Sequence, residues 1–244
     1  MLGYKLTYKP YGEHAVLIEW PKEIDTAILN DLLHFKDLIL KRKLNTILEV
    51  RTAYNSLLVI YRLEIVDFNT AFIELQNIYQ LNTDVLKTES RLWKIPVCYD
   101  SHFGIDLEHI SEVKNCSEES IITGHFTAIY TVYFIGFLPG FLYLGGLDSK
   151  LFTPRKSTPR LKIEKGAVAI GGNQTGIYPQ ESPGGWNVIG NSPITFFDPT
   201  KEQPCFAMAG DKIQFYSISL QEYNQIKTLV EAKVFQLESE VLYD

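Results

Sequence analysis

The sequence is sparing in cysteine. Cys98, Cys116 and Cys205 are odd in number, far apart and form no CxxC pair, which excludes a disulfide framework and a cysteine-ligated zinc site and leaves reduced, buried thiols as the expectation. No run approaches the roughly 18 uninterrupted apolar residues of a spanning helix, and the opening MLGYKLTYKPYGEHAV has no apolar signal core. A cytoplasmic protein with no membrane segment is expected. Basic residues are in deficit, 23 Lys+Arg against 29 Asp+Glu for a net charge of −6, and neither a basic helix nor an RNP-like aromatic motif occurs, so no nucleic-acid partner is expected. There is no GxxxxGK[ST] phosphate loop, no HExxH, no GxSxG and no GxGxxG. The five histidines, at 14, 34, 102, 109 and 125, show no metal-ligand spacing, and no metal site is expected.

Glycine, by contrast, is concentrated. Residues 136–190 hold 11 of the 16 glycines and 5 of the 11 prolines, in the segments GFLPGFLYLGGLD, TPRKSTPR and AIGGNQTGIYPQESPGGW. Glycine permits positive φ and close backbone approach, and proline fixes φ and removes a donor, so this density describes shaped loops, which commonly carry binding sites. The stretch carries 6 Lys+Arg against 3 Asp+Glu, a balance of +3 that leaves −9 for the rest of the chain. A small anion is the ligand this suggests.

The periodicity predicts an α/β unit over residues 1–85: a strand over 15–20, a helix with Ile24, Ile28, Leu32, Phe35 and Ile39 on one face, strands over 46–51 and 56–61, and a second helix capped by Asp67. Residues 81–90 are polar and aperiodic and read as a linker. A second domain, 91–244, opens with a strand over 91–99. Ser117 caps a short helix, and β runs over 130–137, 167–170, 194–197 and 212–216 alternate with turns as in a barrel or sandwich before a closing helix over 221–238. The fold class is α+β.

Arg155 and Arg160, five apart with Lys156 between them, each follow a proline (Pro154, Pro159) and offer planar forks suited to carboxylate or phosphate; a solvated basic turn is the alternative. Gly171, Gly172 and Gly176 around Gln174 either expose N–H groups and an amide to an oxyanion or lactam, or form a tight hairpin. Tyr178 and Trp186 either line a pocket or pack in a core. His125 is a candidate acid or base if Glu164, Glu181 or Asp148 partners it. Ser182 lacks the spacing of a nucleophile elbow. Pro139, Gly140, Arg155, Gln174, Tyr178 and Trp186 make one site only if successive strands return their loops to one rim of the barrel.

These motifs, with GAVAIGG, QTGIYP and SPGGWNVIG in order and the weaker IPVCYD and GEHAVLIEW, resemble the B-subunit family of bacterial 5-oxoprolinase, which includes Kip-type sporulation-kinase inhibitors and allophanate hydrolase subunit 1-like domains. The resemblance covers nearly the whole chain. It implies a small N-terminal α/β domain followed by a cyclophilin-like β-barrel, and ATP-dependent opening of 5-oxoproline to L-glutamate by a complex with the A and C subunits of 5-oxoprolinase, with ATP used through the assembled complex and the chain inactive alone. It also implies that Arg155 and Arg160 hold a carboxylate or phosphoryl group, Gln174 the lactam and Tyr178 a neighbouring oxygen. Two other roles occur in this family: inhibition of a sensor histidine kinase, and a carboxyltransferase-like part in urea or allophanate metabolism. Asn191 stands where the family usually has Arg, and Ile105 where Pro is usual.

Overall fold

A computed structural model describes residues 3–81 and 89–242. The chain divides into two compact units at residues 88 and 89. Most of the expected linker, residues 82–88, lies outside the described residues.

The first unit is an antiparallel sheet covered by two helices. Strands β1 (Thr7–Tyr11), β2 (Ala15–Glu19), β3 (Ile47–Thr52) and β4 (Ser56–Tyr61) lie in the order β1-β2-β4-β3. Helix α1 (Thr26–Lys41) is capped by the Asp25 carboxylate and α2 (Phe68–Gln80) by Asp67. The apolar faces of both helices close over alternate residues of the sheet, and Leu32, Phe35, Leu57, Val59 and Leu75 lose all contact with solvent, each contributing about 1.5–3 kcal/mol of transfer free energy. The periodicity does not predict β1. It is an exposed edge strand containing Pro10, so it lacks the alternation by which a half-buried strand is read.

The second unit is a closed barrel. It uses β5 (Ser90–Cys98), β6 (Ile129–Ile135), β7 (Leu142–Gly145), β9 (Ala167–Gly171), β10 (Gln174–Ile177), β12 (Asn187–Asn191) and β13 (Lys212–Ile218). The ladder runs β12-β9-β10-β7-β6-β13-β5 and returns to β12 through the pair Asn191 and Cys98. β14 (Ser239–Leu242) extends β5 at Ser90–Trp93, and β8 (Arg160–Ile163) with β11 (Ser182–Gly184) forms a separate ribbon. Pro96 is tolerated inside β5 because β14 pairs only as far as Trp93 and β12 only at Cys98, which leaves its missing donor in the gap between them. Helices α3 (Leu107–Lys114), α4 (Glu118–Thr127, capped by Ser117) and α5 (Leu220–Glu231, with a Ser219–Glu222 capping box) complete the unit. Among the described residues, no helix is long and apolar enough to cross a membrane.

The α+β class and the barrel agree with expectation, and three local expectations are corrected. Residues 194–197 form no strand; Pro193 precedes them, and Ile194 and Phe196 anchor a loop to the barrel core. The last helix ends at Glu231 rather than 238, because Lys233 takes a left-handed φ of 59° and the chain beyond it turns back to pair with β5. Strands β7 and β12 arise within the glycine-rich stretch read as shaped loops, and helix α3 is an element the sequence reading does not include.

Candidate functional site

Strands β9 and β10 alternate in residue size as well as direction. Val168, Ile170 and Ile177 point into the barrel core, while Ala167, Ala169, Gly171 and Gly176 face outward. These small outward residues let large rings lie flat against the wall. A Cβ on Gly171 would sit 2.5 Å from the Trp186 indole, and one on Gly176 would sit 3.1 Å from the Phe141 ring. Phe141, Tyr178, Trp186 and Val188 pack there as a second core outside the barrel. The rings of Tyr178 and Trp186 meet Phe141 edge-on, at centroid separations of 5.4 and 5.6 Å.

Two polar groups reach this wall. Arg155 places its guanidinium over the Trp186 ring at 5.5 Å and, among the described residues, has no carboxylate within ion-pair distance. Its segment is fixed in place by paired Thr153 and Gly172, whose backbone bonds are 2.7 and 3.0 Å, and by Asn187 Nδ2 donating to Pro154 O at 2.9 Å. Gln174 stands opposite Gly171 across the hairpin, hence on the outward face with Trp186, and its buried Oε1 has no partner. The Gly171–Gln174 turn is a two-residue hairpin, with Gly172 at φ 70° as its first central residue. Tyr178 is 2% exposed; burial pushes its hydroxyl up to about 12, against a backbone hydrogen bond involving Trp186 that lowers it.

Arg155, Gln174, Tyr178 and Trp186 are thus brought to the outside of one barrel wall rather than to a rim, and Tyr178 and Trp186 pack in the second core there. Pro139 and Gly140 lie in the loop leading into Phe141, where Gly140, at φ 83°, packs so closely on Phe196 and Phe197 that a Cβ would come 2.7 Å from Phe197 Cβ. The adjoining Phe137 is 63% exposed at φ 66°, a conformation that side chains other than glycine rarely adopt.

Arg160 requires correction. Its fork is closed on Asp106, Nη1 to Oδ2 at 2.8 Å and Nη2 to Oδ1 at 2.7 Å, so it is not an open anion receptor. Lys156 Nζ reaches the same carboxylate at 2.7 Å, and the Val188 N–H donates to it at 2.8 Å. Asp106 is 3% exposed. Desolvation alone would raise its pKa, but the hydrogen bonds from Arg160, Lys156 and Val188 outweigh it and hold the carboxyl below the usual range. Of the three cations in TPRKSTPR, only Arg155 has no carboxylate partner among the described residues. The sequence offers little sign of this, since Asp106 lies 54 residues from Arg160 and reads as a polar residue before α3.

His125 is also corrected. It is wholly buried on α4 and stacks on Phe215 at 4.8 Å, and its ring nitrogens meet Tyr99 Oη at 2.8 Å and Thr175 Oγ1 at 2.9 Å rather than Glu164, Glu181 or Asp148. Thr175 gives its proton to Ala169 O, so it accepts from Nε2–H, and Nδ1 accepts from Tyr99. Desolvation pushes the pKa of His125 down to about 3. A neutral imidazole sealed in the core ties α4 to the barrel and exchanges no proton with a ligand. Among the described residues, no group of three His, Cys, Asp or Glu is placed to hold a metal ion.

The family model for the carboxyltransferase domain, subdomains C and D, matches residues 6–207. The B subunit of 5-oxoprolinase from Bacillus subtilis is 33% identical over 88% of this chain and 94% of its own length, and that of Haemophilus influenzae is 38% identical over 84% and 95%. Among solved structures, the urea amidolyase of Kluyveromyces lactis superposes with a TM-score of 0.86 over 99% of this chain at 19% identity, a likeness of fold in which this chain spans 16% of the other. A family model covering most of its length and two relatives matched along nearly theirs show that this chain belongs to the 5-oxoprolinase B-subunit family of carboxyltransferase C and D domain proteins.

Proposed function

We propose that the chain is the B subunit of a cytoplasmic, ATP-dependent 5-oxoprolinase that opens 5-oxoproline to L-glutamate together with the A and C subunits. The observation that carries this reading is the match to two B subunits of 5-oxoprolinase along nearly their whole length. The outer barrel wall supports it. 5-Oxoproline is a small ring bearing one carboxylate and one lactam N–H; Arg155 offers a cation with no carboxylate partner among the described residues, Gln174 Oε1 an acceptor lacking a donor, and Trp186 an apolar floor between them. Arg155 binds and orients the carboxylate, and Gln174 orients the ring by its N–H.

The residues of this wall do not fit a triphosphate. Two of the three cations in the basic segment are neutralised by Asp106, and one guanidinium is too little charge for ATP. The lactam carbon is a poor electrophile until its oxygen becomes a leaving group, and the described residues of this wall include no nucleophile or titrating histidine to supply that activation. Nucleotide chemistry therefore belongs to the assembled complex, and the chain alone is inactive. The likeness to urea amidolyase is one of fold, and no observation favours a kinase-inhibiting or urea-metabolising role over this one. Co-expression with the A and C subunits should give ATP-dependent release of glutamate from 5-oxoproline. Turnover by the purified chain alone, or none by the complex, would refute the reading.

A further inference from the structure

The barrel unit carries a groove of about 950 Å³ between β12, the β8–β11 ribbon and α5. It contains none of Arg155, Gln174 and Trp186. Its floor is built of buried polar residues. Asn191 gives Nδ2 to Lys165 O at 3.0 Å and accepts from Tyr223 Oη at 3.0 Å, which fixes α5 against β12. Next to it, Ser192 is 2% exposed and its Oγ has no partner. An unpaired buried hydroxyl is unfavourable, and one in the floor of a groove has room to be paired by a bound group.

The charges around this floor are of both signs. Lys162 and Glu181 pair with each other at 2.8 Å, whereas Lys165, Lys227, Glu164 and Glu231 line the groove with no ion-pair partner among the described residues. A simple anion here would face Glu164 and Glu231, and a simple cation would face the two lysines. A ligand carrying both charges satisfies both poles. The groove continues into a smaller recess of about 220 Å³ that shares His102, Phe103, Lys162, Glu164 and Asn191 with it and has Ile105, Ile163, Ala167 and Val188 as its apolar wall. Arg160 also borders the recess, but its charge is already matched by Asp106.

From these placements we propose that the groove binds a free α-amino acid with an apolar side chain. Its ammonium lies at Glu164, at the junction of groove and recess. Its carboxylate lies toward Lys165, Lys227 and the Ser192 hydroxyl, and its side chain fills the recess. The site contains none of Arg155, Gln174 and Trp186, although its recess borders the same wall at Ala167 and Val188.

Isothermal titration of the full chain with L-leucine tests it, against 4-methylpentanoate, which lacks the ammonium, 3-methylbutylamine, which lacks the carboxylate, and L-glutamate, whose side chain brings a carboxylate to a recess where Arg160 and Lys162 are already paired with Asp106 and Glu181. Leucine should bind saturably at one site, with each of the other three at least about tenfold weaker. Ser192→Ala and Lys227→Gln should each weaken leucine binding about tenfold with unchanged circular dichroism. Ser192→Ala should not lower the melting temperature, because it removes an unpaired hydroxyl. Absence of saturable leucine binding, equal binding of the truncated analogues or of glutamate, or full affinity in both variants would overturn the proposal. The titration needs no other component of the complex, so its failure leaves the ring-opening reading standing, and failure of the complex assay leaves this one standing.

Discussion

Replacing Asp106 with alanine is the sharpest test of how the basic loop is held. The carboxylate receives four contacts between 2.7 and 2.8 Å, from Lys156, both terminal nitrogens of Arg160 and the Val188 N–H. Removing it leaves two neighbouring cations without a counterion and a buried backbone donor without an acceptor. Breaking a buried ion pair from one side costs about 3–5 kcal/mol. The Lys156 and Arg160 side chains are 23% and 30% exposed and can partly rehydrate, so the lower end, about 3 kcal/mol, is expected. For a unit of this size each kcal/mol moves the midpoint by about 2–4 °C, so the melting temperature should fall on the order of 10 °C in a thermal scan followed by near-UV circular dichroism. Asp106→Asn keeps an acceptor for Val188 and should lose about half as much.

The dependence on pH has a definite sign. The folded pKa of Asp106 lies below its unfolded value, so its contribution is fully present above the unfolded carboxylate pKa of about 3.9 and is lost as pH falls through the lower folded value. The gap between wild type and Asp106→Ala should therefore be flat from about pH 5 to 8 and close only below about pH 4. A variant that melts within about 2 °C of wild type at neutral pH would show that the prolines and the Lys156 N–H bond to Gly185 O hold the loop without the carboxylate.

Arg155→Ala should lower the activity of the assembled complex about ten- to a hundredfold without changing the melting temperature, and Arg155→Lys should not restore it, since a point charge replaces a planar fork on Trp186; wild-type turnover in both would remove Arg155 from the site. His125 should show no titration between pH 8 and 5 in an NMR pH series, because its charged form is excluded by burial; a midpoint near 6.5 would contradict the sealed, neutral imidazole. Gly171→Ala should destabilise the barrel by about 1–3 kcal/mol in urea unfolding, since its Cβ would stand 2.5 Å from the Trp186 indole; an unchanged midpoint would mean that the ring moves aside freely.

Much of this architecture is local and therefore legible in the chain. The apolar stripe of α1 and the caps at Asp67 and Ser117 depend on residues a few positions apart, whose propensities and side-chain directions act wherever the segment lies. The edge strand β1 and the added strand β14 are illegible for the converse reason: Thr7–Tyr11 and Ser239–Leu242 contain no fully buried residue, and each exists through the ladder of a neighbour.

The fate of the candidate site residues is settled in three dimensions. Arg155 and Arg160 follow prolines in the same short segment and look equivalent, yet one rests open on Trp186 and the other is closed on a carboxylate 54 residues away. His125 reads as a possible base until Tyr99 and Thr175 take both of its nitrogens and the barrel removes it from water. Residue pattern suffices for the α+β class and the principal helices. Which polar groups are satisfied and which remain open follows from the folded barrel, because hydrogen-bond satisfaction and desolvation depend on what its closure brings to each atom.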